Sequence, residues 1–233
     1  MLSIIINNKE FGNNKNGDVH LKTFKKIFYH IVLLFILGGL FGYFFETIGY
    51  LIKNGKFINK QGMWFSPLKP IYGLGIILIS ALLYKLKKKN PIWIFLLGLL
   101  IGASFEYIAS LFQDYILHTS TWNYSNMKND LNGRINLPYS IIWGAITYLW
   151  IKYGLDIYLK FYNKILKFKL SQIIIIIITI FLAFDLSLTT IVTKRYSQRK
   201  RCIEATSDFD TYIDKYYNNK VFEKKFPNLR VKT

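Results

Sequence analysis

Two glutamates at matched positions are the side chains of this sequence that most need a chemical explanation. Glu46 and Glu106 lie late in long apolar segments and are 60 residues apart. A carboxylate in such a segment costs roughly 3 kcal/mol unless it is neutral, paired or facing water. In a structural interpretation, each glutamate caps a neighbouring loop or helix start. In a functional interpretation, the pair binds a cation or cationic group, or relays a proton.

Two other charged residues could belong to the same chemistry. Arg134 lies in a long polar loop, and its rigid five-donor fork suits a carboxylate or a phosphate. It could bind Glu46 or Glu106 from the loop side. Asp185 lies near the middle of the last apolar segment, where it needs a partner or a proton. Structural pairing and function are both open for Asp185.

Several polar or aromatic side chains complete the set of candidates for ligand or proton binding. The aromatic residues Tyr72, Trp122 and Tyr124 also suit an aromatic belt at the membrane interface. Stacking of these rings on a ligand is the alternative. The sequence predicts no cofactor and no metal site, because its single cysteine and three histidines are scattered. These further candidates are Asn59, Tyr72, Trp122, Tyr124 and Asn132.

The distribution of apolar residues indicates a membrane protein. The 233-residue chain is 52% hydrophobic, and its apolar residues fall into blocks close to the ~20 residues that cross a bilayer. Lysine clusters at 85–89 and 160–169 flank these blocks directly. The net charge of +18 therefore predicts contact with anionic lipid and not with nucleic acid.

The pattern predicts an all-α, polytopic membrane protein with about five transmembrane helices and a small helical carboxy-terminal tail. Ser66 and Pro67 are predicted to cap and begin the second helix. Residues 152–169 are typical of an interfacial helix or the end of the fourth span. The predicted spans run over about 27–51, 67–84, 91–117, 138–155 and 170–193. The predicted regions are a polar mobile amino-terminal segment at 1–22, a membrane domain at 23–151, a basic interfacial segment at 152–169, the fifth transmembrane helix at 170–193 and a basic polar tail at 194–233.

Four of these spans form an internal repeat, covering 27–84 and 91–151. At an offset of 60, nine of the seventeen residues from Phe35 to Leu51 are identical to their counterparts. At an offset of 71, Gly62, Pro67, Ile71 and Gly73 fall on Gly133, Pro138, Ile142 and Gly144. Because each unit crosses twice, the repeats should be parallel, with a site between them. Duplication retained for helix packing through small residues is the other interpretation.

The lysine distribution predicts a multi-pass protein of the cell membrane with a cytoplasmic amino terminus. With five spans, the tail lies on the opposite side. Residues 49–57 do not form an ATP-binding loop, because five residues separate the glycines and Phe57 stands where Ser or Thr is needed. Without an ATPase motif or a recognisable catalytic motif, the sequence favours a non-enzymatic role.

Two loop segments carry a family resemblance. At Glu46–Gly75 (ETIGYLIKNGKFINKQGMWFSPLKPIYGLG) and at Trp122–Gly144 (WNYSNMKNDLNGRINLPYSIIWG), the chain resembles the putative ABC-transporter permease family called type IV. The ending DKYYNNKVFEKKFPNLR is also similar to that family's. The resemblance covers roughly 27–230 and implies a role in transport, with a separate ATPase or another membrane subunit as partner.

The leading hypothesis is a permease-like or transport-associated membrane protein with a polar site formed by the two repeated loops and the membrane carboxylates. A small membrane-embedded enzyme acting on a lipid or other amphiphile is the first alternative, with the same carboxylates as acid and base. A non-catalytic subunit of a membrane complex is the second. Substrate and oligomeric state are left open by the sequence.

Overall fold

The computed structural model of this protein describes residues 16–232, and most of that range is helical. Residues 1–15 of the predicted polar amino-terminal segment lie outside the described residues. A 3-10 segment at Tyr84–Lys88 and π-helical segments at Gln113–Leu117 and Trp150–Gly154 continue the helices that precede them. The elements of the described range are α1 (Asn16–Asn54), α2 (Pro70–Leu83), α3 (Pro91–Phe112), β1 (Thr119–Ser120), β2 (Asp130–Leu131), β3 (Ile135–Asn136), α4 (Leu137–Leu149), α5 (Leu155–Ile165), α6 (Lys169–Lys200), α7 (Asp208–Tyr216), α8 (Asn219–Lys225) and β4 (Arg230–Val231).

Four helical stretches within residues 16–232 are long and apolar enough to cross a membrane: His20–Asn54, Pro70–Lys88, Pro91–Leu117 and Lys169–Lys200. They coincide with four of the predicted spans, and the all-α, multi-pass membrane class is confirmed. The other predicted span, at about 138–155, is helical as α4 and its π-helical continuation but is not among the four. A fifth crossing therefore stays a prediction.

The start of α2 differs from its predicted position. The helix begins at Pro70, and Lys69 is its extended N-cap residue. Ser66 does not cap the helix, since its hydroxyl donates to Met63 Sδ at 3.6 Å and its backbone N–H donates to Asp185 Oδ2 at 2.8 Å. A residue 119 positions away therefore fixes this backbone, which local capping signals cannot reveal.

Helices α1 and α2 pack as one antiparallel pair, in which glycines allow close approach. A Cβ on Gly42 would lie 2.3 Å from the Tyr72 ring, and one on Gly38 would lie 2.7 Å from Ile76 Cγ2. Any side chain at either glycine would force the two helices apart.

Helices α3 and α4 form a second pair with corresponding contacts. A Cβ on Gly102 would lie 2.6 Å from Trp143, and one on Gly98 would lie 2.4 Å from Thr147. The two α3 glycines lie 60 residues after the two α1 glycines in the sequence. The α4 residues that they contact, Trp143 and Thr147, lie 71 residues after the corresponding α2 residues, Tyr72 and Ile76. The two helix pairs thus meet at the same offsets that relate their sequences.

The long helix α6 covers the first pair. Leu182 packs with Met63 and Leu68 of the α1–α2 loop, and partly buried residues of α1 surround them. By contrast, Leu100 on α3 is exposed. Apolar side chains on that face suit lipid contact.

The chain after α6 folds back onto the loops. Strand β4 pairs antiparallel with β1 in the α3–α4 connection. Phe222 of α8 is fully buried and packs with Tyr196 of α6 and Trp64 of the α1–α2 loop. Residues 200–232 therefore lie at the same end of the bundle as both polar loops.

Candidate functional site

Glu46 lies on α1 and has a charged partner on the loop before α2. Lys69 Nζ is 2.5 Å from Glu46 Oε2, and the two side chains are 16% and 32% exposed. Pro70 begins α2 immediately after Lys69, so the helix start positions the ammonium group. The first carboxylate is therefore neutralised by the chain itself.

Glu106 lies at the matching position on α3, where its partners are uncharged. Tyr124 Oη donates to Glu106 Oε1 at 2.8 Å, and Trp143 Nε1 donates to Oε2 at 3.0 Å. The residue is only 6% exposed. Within residues 16–232, no Lys, Arg or His forms an ion pair with Glu106.

Two stacked rings join the glutamates. Tyr72 of α2 and Trp143 of α4 stack with ring centroids 5.6 Å apart. Tyr72 lies against Gly42, one helical turn before Glu46 on α1, and Trp143 Nε1 donates to Glu106 Oε2. The stacked rings thus join the two helix pairs close to their carboxylates.

A second aromatic pair covers Glu106 from the loop. Tyr124 stacks on Tyr139 with ring centroids 4.9 Å apart. Burial, followed by the charge of Glu106, raises the pKa of the Tyr124 hydroxyl far above its ordinary value. Tyr124 therefore stays protonated and acts as a hydrogen-bond donor to Glu106.

Lys60 places a second ammonium group near Glu46. Its Nζ lies 4.3 Å from the centroid of the Tyr50 ring, as in a cation–π contact. Burial lowers the pKa of Lys60, the charge of Glu46 raises it, and the charge of Lys69 lowers it further. Positive charge thus gathers around Glu46 and not around Glu106.

Arg134 has a different partner from the predicted ones. Its Nη2 forms an ion pair with Asp114 Oδ2, and its Nη1 donates to Ser110 Oγ at 3.1 Å. Lys232 Nζ lies 2.7 Å from the same Asp114 oxygen. Asp114 lies about 12 Å of helix rise beyond Glu106, closer to the loop that carries Arg134. Arg134 therefore ties the loop to the end of the helix.

Asp185 holds the loop between α1 and α2. It is fully buried, and its carboxylate oxygens accept the backbone N–H groups of Phe65 and Ser66, both at 2.8 Å. Thr189 Oγ1 accepts the preceding N–H, that of Trp64, also at 2.8 Å. Through these two charge-assisted hydrogen bonds, the Asp185 carboxylate fixes the loop backbone to α6.

The remaining candidates make local contacts within the loops. Trp122 Nε1 donates to the carbonyl of Arg134 at 3.0 Å, and Asn132, at a positive φ of 55°, donates to Tyr107 Oη at 2.9 Å. Asn59 is exposed and bonds to Gln61. None of these three side chains contacts Glu46 or Glu106 in the described part of the chain.

Sequence reasoning missed three residues of this site: Lys69, Tyr139 and Trp143. The repeat offset of 71 places Trp143 opposite Tyr72, between the matched pairs Ile71/Ile142 and Gly73/Gly144, so the sequence alignment itself could have found it. Lys69 adjoins the proline that begins α2, and only its contact identifies it. Among residues 16–232, no group of three or more His, Cys, Asp or Glu side chains could hold a metal ion.

A family model described as "Putative ABC-transporter type IV" matches residues 33–190. This range includes both glutamates, both polar loops and Asp185. Neither the curated proteins nor the solved structures contain a match to the chain.

Proposed function

Because this chain belongs to the family "Putative ABC-transporter type IV", we propose that it is a membrane transport-associated protein with a site for a cation or a proton at Glu46 and Glu106. The observation that carries the proposal is the stacking of Tyr72, which lies against α1 one turn before Glu46, on Trp143, which donates to Glu106 Oε2. Sites between repeats are common in transporters built from internal duplications.

The charge distribution at Glu106 supports binding of a positive species. Lys69 forms an ion pair with Glu46, and Lys60 places a second ammonium group near the same carboxylate. Glu106 receives only neutral hydrogen bonds. A buried carboxylate without a charged partner takes up a proton or attracts a cation.

The contacts at the opposite end of the bundle support five crossings and two parallel repeats. Lys152 Nζ, just after α4, donates to the carbonyls of Lys87 and Lys89 at 2.9 and 3.2 Å. These carbonyls lie in the connection between α2 and α3. If α2 and α3 cross the bilayer, the stretch from α4 to Lys152 reaches the same level and crosses as well.

This topology places the lysine-rich connections in the cytoplasm of a protein in the cell membrane, with the amino terminus on the same side. A reporter fused at Lys88 is then expected to be cytoplasmic, and one fused near Asn126 is expected to be outside. Finding both reporters on one side of the membrane would rule out the parallel repeat.

For ATP-driven transport we propose a partner subunit, since residues 49–57 lack the spacing of an ATP-binding loop. We expect a separate ATPase or another membrane subunit to copurify stoichiometrically in mild detergent. Altered lipids in a deletion strain, without a copurifying subunit, would favour the enzyme alternative.

Substitution of the two glutamates tests the site. Glu46→Gln and Glu106→Gln keep the shape and lose the charge, so each is expected to abolish complementation of a deletion strain while the melting temperature stays within a few degrees. Glu204→Gln, at an exposed position, is the matched control and should complement fully. Active Gln variants at both positions would refute the site, and unfolded variants would assign the glutamates a structural role.

A further inference from the structure

Comparison of the two helix pairs singles out the position that gives Glu46 its counter-ion. Lys69 precedes the stacked Tyr72 by three residues. At the repeat offset of 71, its counterpart is Ser140, which precedes the stacked Trp143 by three residues. The equivalence rests on contacts as well, because Tyr72 and Trp143 lie against the matched glycines Gly42 and Gly102.

Ser140 cannot do for Glu106 what Lys69 does for Glu46. It is buried, and its hydroxyl donates to the carbonyl of Asn136 at 3.0 Å. The second helix pair thus repeats the carboxylate and the aromatic ring but replaces the ammonium group with a short neutral side chain.

We propose that Glu106 binds the ammonium group of an external ligand, which takes the part that Lys69 plays beside Glu46. This inference rests on the proposed function and specifies its substrate class as a primary amine. The ligand is a free alkylamine or the ethanolamine headgroup of a lipid, since both present the same ammonium group.

The surroundings of Glu106 suit an ammonium group. Two stacked aromatic pairs reach the carboxylate through their polar edges, since Trp143, stacked on Tyr72, and Tyr124, stacked on Tyr139, each donate one hydrogen bond to it. Glu106 is only 6% exposed and has no charged partner among residues 16–232. An ammonium group would supply the missing countercharge.

Access to Glu106 lies on the loop side. Tyr124, which donates to Glu106, belongs to the α3–α4 loop, and its neighbours Asn123 and Ser125 are exposed. An ammonium group that donates to Oε1 in place of the tyrosine hydroxyl would enter from this side. Unlike the tyrosine hydroxyl, the ammonium group would also neutralise the charge of the buried carboxylate.

Transfer of the lysine between the two repeats tests the proposal. Ser140→Lys should supply Glu106 with a tethered ammonium group and abolish binding of ethylammonium to the purified, full-length protein. Lys69→Ser should expose Glu46 and raise the stoichiometry from one site to two. Ser140→Ala is the matched control and should bind as the unmodified chain does.

Titration calorimetry with ethylammonium chloride, and potassium chloride as the ionic-strength control, gives the result. We expect Glu106→Gln to weaken binding at least tenfold. Unchanged binding in either folded variant, Glu106→Gln or Ser140→Lys, would overturn the proposal, as would a chain that binds no ethylammonium while its Glu106 is still required for complementation. The latter result would leave the proposed function standing with a proton as its cation.

Two lipid compositions distinguish the sources of the amine. If the ligand is a lipid headgroup, nanodiscs of phosphatidylethanolamine should suppress ethylammonium binding, and nanodiscs of phosphatidylcholine should not. If it is a free amine, both compositions should leave the same affinity. Circular dichroism and melting curves of each variant establish that it is folded, and a folded Ser140→Lys variant that binds ethylammonium normally would contradict the proposal.

Discussion

The two helix pairs place the same carboxylate on the same kind of scaffold and give it opposite electrostatic surroundings. Glu46 forms an ion pair with Lys69 at 2.5 Å, whereas Glu106 receives neutral hydrogen bonds from Tyr124 and Trp143. Glycine contacts fix the backbone in both pairs. Packing and charge are therefore separable here, because a duplicated unit can keep its helix contacts while one residue decides whether its carboxylate is neutralised.

The loops that follow the two glutamates also differ, in the contacts that hold their backbone in place. The loop after α1 is held from outside the repeat by Asp185 and Thr189 of α6. The loop after α3 is longer and is held within itself, through the β2–β3 pairing and the bond from Asn136 Nδ2 to the carbonyl of Lys128 at 2.8 Å, as well as by the pairing of β1 with β4 of the tail. The second loop also carries Tyr124, which reaches Glu106.

The largest effect is expected where the first loop depends on α6. Asp185→Leu removes two hydrogen bonds to a buried carboxylate and should lower the free energy of unfolding by about 3 to 5 kcal/mol. Asp185→Asn should cost less, since one oxygen remains as an acceptor. Unfolding by titration with denaturing detergent would measure both. Equal stability of the Leu variant and the unmodified chain would show that the loop does not need its hydrogen bonds to Asp185.

The next effect tests whether the two helix pairs are equally tight. Gly42→Ala would place a methyl group 2.3 Å from the Tyr72 ring, and Gly102→Ala would place one 2.6 Å from Trp143. Each should destabilise the protein by about 1 to 3 kcal/mol, because the helices must separate. Gly49→Ala is the control, since a Cβ at that helical position meets nothing within 4 Å. A stable Gly42→Ala variant would mean that the first pair is looser than its contacts indicate.

The charge difference between the repeats should produce a smaller change. Lys69→Met leaves Glu46 without its ion pair, and since about a third of the Glu46 side chain is exposed, the expected cost is about 1 to 2 kcal/mol. The double variant with Glu46→Gln should recover most of this loss. Ser140→Met in the second repeat removes no charge. Adding Glu106→Gln to Ser140→Met should therefore restore none of the stability that the Ser140→Met variant loses.

The smallest effect concerns the docked tail and its dependence on pH. Hydrogen bonds from Arg195, and then from Arg199, lower the pKa of Asp214. Its carboxylate therefore stabilises the docked tail above the unfolded pKa of about 3.9, and this stabilisation is lost as the pH falls through the lower folded-state pKa.

We expect protease sensitivity of residues 202–232 to be low at pH 7 and to rise below pH 4. Asp214→Asn should be sensitive at both pH values. A tail that is equally protected in this variant would show that the apolar contacts of Trp64 and Phe222 hold it without the ion pairs.

Sequence patterns predicted the helices well and their long-range partners poorly. Lysine-flanked apolar blocks give the spans directly, because crossing a bilayer requires length and apolarity. The local pattern predicts a start of α2 at Pro67, whereas the helix begins at Pro70, since the backbone of Ser66 is bound by Asp185 from a distant helix. Tertiary contacts of this kind leave no local signal.

The site shows the same division. Glu46 and Glu106 stand out because charge is costly in apolar segments, and the repeat relates them. The partner of Arg134 could not be chosen from sequence, since any of several acidic side chains satisfies a guanidinium and only the fold brings Asp114 to it.

The most direct test of the account is whether Glu46 and Glu106 meet in the membrane-embedded protein. Cys202 is the only cysteine in the sequence, so Cys202→Ser gives a background in which Glu46→Cys and Glu106→Cys can be joined by a short, membrane-permeant thiol crosslinker. Glu46→Cys with Asp156→Cys is the control, since Asp156 pairs with Lys87 at the opposite end of the bundle. The account predicts an intramolecular crosslink in the first pair and none in the control. Absence of the crosslink in the first pair, with both cysteines reactive, would contradict it.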